Sequence, residues 1–324
     1  WSAEFAIPFK TLRYKKDKDQ SWGINFERVI ARKKEEAHWA PISRQFTMTR
    51  LVSAGTITNI NVPISRNIKI MPYVLGQNNT VANEQSTQSS KSDFGLDAKV
   101  SVGSSMNLDI TYNTDFAQVE ADEQQINLDR FSLFFPEKRA FFLENAGLFS
   151  VGSGGGYFGP DIEMFFSRRI GVGSGGVPVP IIGGGRLTGT LSGMKLGILT
   201  MQSDKVKDVT DGNQYSVLRL KKELPNRTHF GGMYTALNHL GENAYVNQSY
   251  AFDAQLGIGE LSKIIAFAGF TDTPGLSKDN SYAFRLEAAR DTKSISTVTS
   301  YTEVGADFNP EMGYLKRESY RKWS

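Results

Sequence analysis

From Asn67 onward, apolar and polar residues alternate with a period of two. Phe94, Leu96, Ala98, Val100 and Val102 are separated by Gly95, Asp97, Lys99 and Ser101. Met106, Leu108, Ile110 and Tyr112 alternate with Asn107, Asp109, Thr111 and Asn113, and the same rhythm runs from Tyr250 to Ile258. Period-two patterning places one set on each face of a sheet. It predicts strands near 67–76, 92–102, 105–115, 181–191, 194–202, 213–223, 227–237, 249–258, 261–271, 280–291 and 294–305, with another starting near 312. Segments of about ten residues with one apolar and one polar face suit strands that cross a bilayer at a tilt.

The connections add a second regularity. They are short at 103–104, 192–193, 224–226, 259–260 and 292–293, and long at 77–91, 203–212, 238–248 and 272–279. Short turns on one side and long loops on the other are what an outer-membrane barrel shows. The alternation holds if Glu163–Ile170 is not a spanning strand, so that piece is assigned to an insertion, 116–180. Gln77–Lys91 carries little apolar surface and is expected to be mobile. A soluble sandwich or a propeller is the alternative, but no blade-length repeat occurs.

The fold class expected is therefore all-β: part of a transmembrane antiparallel β-barrel with a lumenal, plug-like insertion. The insertion contains six phenylalanines and only two acidic residues between Phe131 and Phe149. Such a surface is expected to be buried in the lumen or across its mouth. Polar positions of the strands, Asp97 and Asp253 among them, are expected to line the lumen, and alanine there is expected to be milder than arginine at Leu96 or Phe252. Residues 1–50 differ, with three tryptophans and many charges. Glu4–Phe9 and Trp22–Arg32 read as strands closing a β-sandwich domain, 51–66 as a connector, and 67–324 as the barrel, incomplete at its C-terminus. The chain reads as an internal stretch of a longer protein.

Composition narrows the partners. Net charge is +3, with 37 basic and 34 acidic residues, and no basic stripe points to nucleic acid. No apolar run is long enough for a spanning helix, and the mean hydropathy is −0.34. The chain has no cysteine, which excludes thiol catalysis and Cys-ligated metals. His38, His229 and His239 are scattered, so no metal site is expected. The glycine-rich stretches 152–156 and 171–176 lack the setting of a phosphate loop. No cofactor or catalytic residue is assigned.

The most specific string lies at 115–149, DFAQVEADEQQINLDRFSLFFPEKRAFFLENAGLF, followed by FFSRRIG at 165–171 and GGRLTG at 184–189. Together these resemble an outer-membrane β-barrel family of Gram-negative bacteria, in which a domain of unknown function follows a family-9-type carbohydrate-binding module. Asp129, Ser132 and Ala140 depart from that family's usual Thr, Glu and Pro. The opening, WSAEFAIPFKTLRY and WGINFERVIARKKEEAHWAP, is similar to the last strands of such a module. The resemblance implies outer-membrane location with a periplasmic N-terminal part. The partners it implies are membrane lipid, other outer-membrane or periplasmic proteins, and glycan.

Read from the residues, the motif is structural. Phe134, Phe135 and Pro136 form a wedge, joined by Phe141 and Phe142. Glu137, Lys138 and Arg139 are available to lumen charges. Arg168 and Arg169, adjacent on a strand, would face opposite ways, one of them pairing with Glu120, Asp122 or Glu144. The function expected is binding or passage of a ligand, glycan included, at the outer membrane. The alternatives are a plugged structural subunit of a larger complex, or a glycoside hydrolase using two carboxylates drawn from Glu120, Asp122, Glu123, Glu137 and Glu144.

Overall fold

A computed structural model describes residues 2–9, 12, 14, 19–44, 46–62, 68–81, 87–103, 105–114, 134–156, 159–173 and 176–324. Within them lie two small sheets near the N-terminus. β1 (Asp19–Ile24) pairs with β4 (Gly55–Asn61), and β2 (Glu27–Ile30) pairs with β3 (Glu35–His38). The segment read as a connector thus holds a strand. Glu4–Phe9 is not a strand, and Trp22–Arg32 is broken into two by Asn25, whose side chain binds the backbone of Ala40 instead.

The main element is a sheet of twelve antiparallel strands. It runs through β5 (Ile68–Val81), β6 (Thr87–Val102), β7 (Met106–Thr114), then β10 (Ile181–Leu191), β11 (Met194–Ser203), β12 (Asn213–Leu224), β13 (Thr228–His239), β14 (Tyr245–Ile258), β15 (Ser262–Asp272), β16 (Tyr282–Asp291), β17 (Ser296–Val304) and β19 (Tyr320–Trp323). β5 and β19 are its edges, and among the described residues no pairing joins them. The stretch expected as a mobile loop at 77–91 instead continues the β5–β6 ladder from Gln77↔Lys91 to Val81↔Thr87. The tight connections follow turn chemistry. Between β10 and β11, Ser192 and Gly193 both have positive φ, as a two-residue hairpin turn with the right twist requires.

The two faces of this sheet differ. On one, the apolar sets stay open: Phe94 is 66% exposed, Phe252 60% and Leu286 55%. The polar sets point to the other face, which is covered. There Leu199, Met201, Tyr215, Val217, Met233 and Phe267 meet residues of the insertion and of the chain between β17 and β19. The described part of the insertion holds two one-turn helices, α1 (Ala140–Leu143) and α2 (Ala146–Phe149), and two short strands, β8 (Gly152–Gly156) and β9 (Gly159–Glu163). β8, β9 and β18 (Tyr314–Leu315) make a three-stranded sheet of their own. Glu163–Ile170 is therefore no member of the large sheet, as the turn alternation requires. The strand expected near 312 is split: β18 joins the small sheet, and β19 joins the large one.

Candidate functional site

The covered face carries buried charge, and its register explains how. Lys99, Asp109 and Arg186 lie side by side on β6, β7 and β10, opposite one another in the ladder. Arg186 is 2% exposed. Its Nη2 and Nε donate to Asp109 Oδ2 at 2.8 and 3.2 Å. Its Nη1 donates to the carbonyl of Phe141, and to that of Glu144 at 2.6 Å. Those carbonyls end α1, where helical partners run out and a cation is favourable. Lys99 completes the group by pairing with the Glu144 carboxylate and lying 3.6 Å from Asp109.

A second arginine repeats the arrangement two strands on. Arg219 of β12 is 1% exposed. Its Nη2 donates to Asp253 Oδ2 at 2.9 Å, and its Nη1 makes a close but poorly aligned ion contact with Oδ1. Its Nε donates to the carbonyl of Leu148 in α2 at 3.2 Å. Gly197 on β11 leaves room for α2, since a Cβ there would lie 2.8 Å from the Phe149 ring. Each helix of the insertion is thus fastened to the sheet by one arginine, and each arginine is neutralised by an aspartate of a nearby strand.

Within the insertion, Arg139 binds Glu137 through Nε and Nη2 at 2.8 and 2.7 Å. It also donates to the carbonyls of Ile170 and Ser167, at 2.7 and 2.6 Å, and lies over the Phe142 ring. Burial pushes the Glu137 carboxyl up, but the hydrogen bonds and charge of Arg139, with the Ser167 hydroxyl, outweigh it and hold the group below its usual range. Glu163 is the opposite case. Burial dominates, and its bonds from Ser150 and the Val151 N–H offset only part of it, so its carboxyl is pushed up to about 7.

The residues singled out from sequence come together in part. Phe142 is buried, while Phe134, Phe135 and Phe141 are half-buried; Phe134 stacks on Phe166 at 5.1 Å and meets Tyr314 edge-on. Pro136 and Lys138 lie at the surface. Arg168 and Arg169 are not on a strand but in a 3-10 turn, Ser167–Arg169. Arg168 donates to the Pro136 carbonyl and Arg169 to that of Gly313. Glu144 serves Lys99 and approaches Arg186 instead. Glu120, Asp122 and Glu123 lie outside the described residues, as does the whole of 115–133. Arg186 and Arg219 were not among the expected site residues. Their signal was the alternation itself: Arg219 stands between Leu218 and Leu220, which fixes it to the covered face.

Chemically, the arginines of the covered face are engaged by carboxylates and carbonyls, an arrangement that fastens. Among the described residues no group of three or more His, Asp or Glu is placed to hold a metal ion. No curated protein and no solved structure matches the chain. Residues 65–178, about a third of the chain, match the family model of a domain of unknown function, DUF5916.

Proposed function

We propose that this chain forms part of an outer-membrane β-barrel whose lumen is filled by its own insertion, and that it serves as a closed, structural unit of a larger membrane assembly. The open apolar face is the lipid surface in this reading, and the covered face is the lumen. Supporting the first point is an apolar exposure far larger than soluble surfaces carry, spread over strand after strand. A closed antiparallel barrel is one of the two structures that satisfy backbone polarity in a bilayer, and the twelve-stranded sheet would form the described part of its wall.

The observation that carries closure is the double fastening of α1 and α2 by Arg186 and Arg219. A path for a ligand, glycan included, would require breaking both buried ion pairs. The tight turns then face the periplasm, together with the N-terminal sheets; Arg50, from that part, donates to the Glu260 carbonyl in the β14–β15 turn. Reconstitution of the full protein in planar bilayers tests the reading. The expected result is insertion without a steady conductance, and a large steady conductance overturns it.

A further inference from the structure

The connection from β17 to β19, residues 305–319, does not arch away from the sheet. It turns inward and crosses the insertion. Phe308, Met312 and Tyr314 are buried, at 2%, 1% and 4% exposure. The Met312 carbonyl accepts from the Phe166 N–H at 2.7 Å, the Gly313 carbonyl from Arg169, and β18 pairs with β9 at Tyr314↔Glu163. The Lys316 N–H reaches the Asp161 carbonyl. The insertion is therefore roofed by a strap whose two ends are both strands of the large sheet.

Backbone bonds from the Gly305 N–H to Tyr282 and from the Asp307 N–H to Asn280 start the strap, and side chains of the sheet then hold its middle in one cluster. Asn247 of β14, fully buried, donates to the Asn309 carbonyl at 2.9 Å and accepts from the Glu311 N–H at 3.3 Å. His239 Nε2 lies 2.8 Å from Glu311 Oε2, and the Tyr245 hydroxyl donates to the same carboxylate at 3.3 Å. The His239 and Tyr245 rings stack at 4.2 Å. The Thr271 hydroxyl accepts from the Asn309 N–H at 3.0 Å. These groups sit on the loop-side ends of β13, β14 and β15, several strands from the strap's own ends.

We propose that residues 305–319 are a locking strap, and that its clasp at Asn247, His239, Tyr245 and Glu311 controls whether the insertion can leave the covered face. The proposal rests on the closed-barrel reading and adds a point of release to it. The arginine anchors hold the insertion against the sheet. The strap blocks its outward path while the clasp is shut. Opening the clasp exposes Met312 and Tyr314 and uncouples β18 from β9. A partner acting at the loop-side mouth would meet this small polar group first, before the backbone bonds of Met312, Gly313 and Lys316 to the insertion.

The chain has no cysteine, so a single Met312→Cys reports on the strap. In reconstituted full-length protein, Met312→Cys is expected to resist an impermeant maleimide. Adding His239→Ala and Glu311→Gln is expected to speed labelling about tenfold or more, as loss of charged hydrogen bonds shifts the closed population, and to raise bilayer conductance. Resistance to unfolding by detergent on unheated gels shows which variants have assembled. If the clasp variant assembles and Met312→Cys stays as protected as in the parent, the proposal is overturned. Should it not assemble, Tyr245→Phe, which removes one hydroxyl from the clasp, is read the same way: faster labelling supports the lock and unchanged labelling refutes it. A parent protein that conducts freely would sink the closed-barrel reading, while the labelling ratio would still report on the clasp.

Discussion

Arg219 on β12 reaches Asp253 on β14 by passing over Gly231 on the strand between them. A Cβ at Gly231 would lie 2.4 Å from Arg219 Nη1, so the glycine is the opening through which the pair forms. Replacing Arg219 by Met leaves Asp253, in a covered site, with only His229 Nε2 at 3.6 Å beside it, and is expected to destabilise by about 3–5 kcal/mol. Gly231→Leu should act in the same direction by displacing the guanidinium. Combining Arg219→Met with Asp253→Leu should recover much of the loss. Urea unfolding in lipid vesicles, read by tryptophan fluorescence, measures all three.

The same contact separates two aspartates that look alike in sequence. Asp97 accepts a bond from the Thr111 hydroxyl at 2.6 Å, and Asp97→Ala is expected to be mild, near 1 kcal/mol. Asp253→Ala removes the carboxylate from a buried arginine and is expected to impair assembly severely, against the milder effect expected from patterning alone. If the open face meets lipid, Leu96→Arg and Phe252→Arg are expected to cost about 2–4 kcal/mol each. The yield of assembled protein in membranes ranks the four variants, and equal yields would contradict the assignment of faces.

Two carboxyls of the insertion give stability opposite slopes with pH. Glu163 has a folded value raised to about 7, so the folded state holds a proton that the unfolded chain has lost. Its contribution is complete near pH 4.5 and below, and falls away as pH rises to about 7, by a few kcal/mol. Glu137 has a lowered folded value, so its contribution is present above pH 4.5 and lost as pH falls through that lowered value. Glu163→Gln is expected to flatten the decline between pH 4.5 and 7, and Glu137→Gln to flatten the loss at acid pH. Melting temperatures across pH 3–8 check both slopes.

The proposed orientation in an outer membrane has a direct test. Glu242 lies in the exposed connection between β13 and β14, and Lys293 in the tight turn between β16 and β17. On intact cells, Glu242→Cys is expected to react with an impermeant maleimide and Lys293→Cys to react only after the outer membrane is breached. Reversed labelling would invert the barrel.

Much of the sheet was legible because alternation is a local signal: each strand declares its two faces without reference to its neighbours. Phe252 and Asp253 part to opposite faces for that reason alone. What alternation cannot supply is register. That Arg186 meets Asp109, 77 positions away, depends on how far β10 slides against β7, and nothing in either strand states it. The clasp was hidden for a further reason. Residues 305–319 mix Gly, Pro, Asn and Glu with single apolar residues, the composition of an outer loop. Only contact with the insertion, a nonlocal event, draws Met312 and Tyr314 inward. Arg168 and Arg169 were misread because an apolar run, Ile162 to Phe166, resembles a strand that continues, whereas the chain turns there to hand its carbonyls to Arg139.

β7 and β10 pair directly, from Ile181↔Thr114 to Gly189↔Met106. To the sheet, everything between them is a single hairpin loop whose two ends are already neighbours. The entropy of closing a loop grows only logarithmically, by about 0.6 kcal/mol per doubling of length. The ladder therefore places almost no constraint on the size of what it carries at this point. Domains could be exchanged there, lengthened or trimmed, while the strands on either side keep their partners; what lies on the covered face is free to diverge faster than the sheet that carries it.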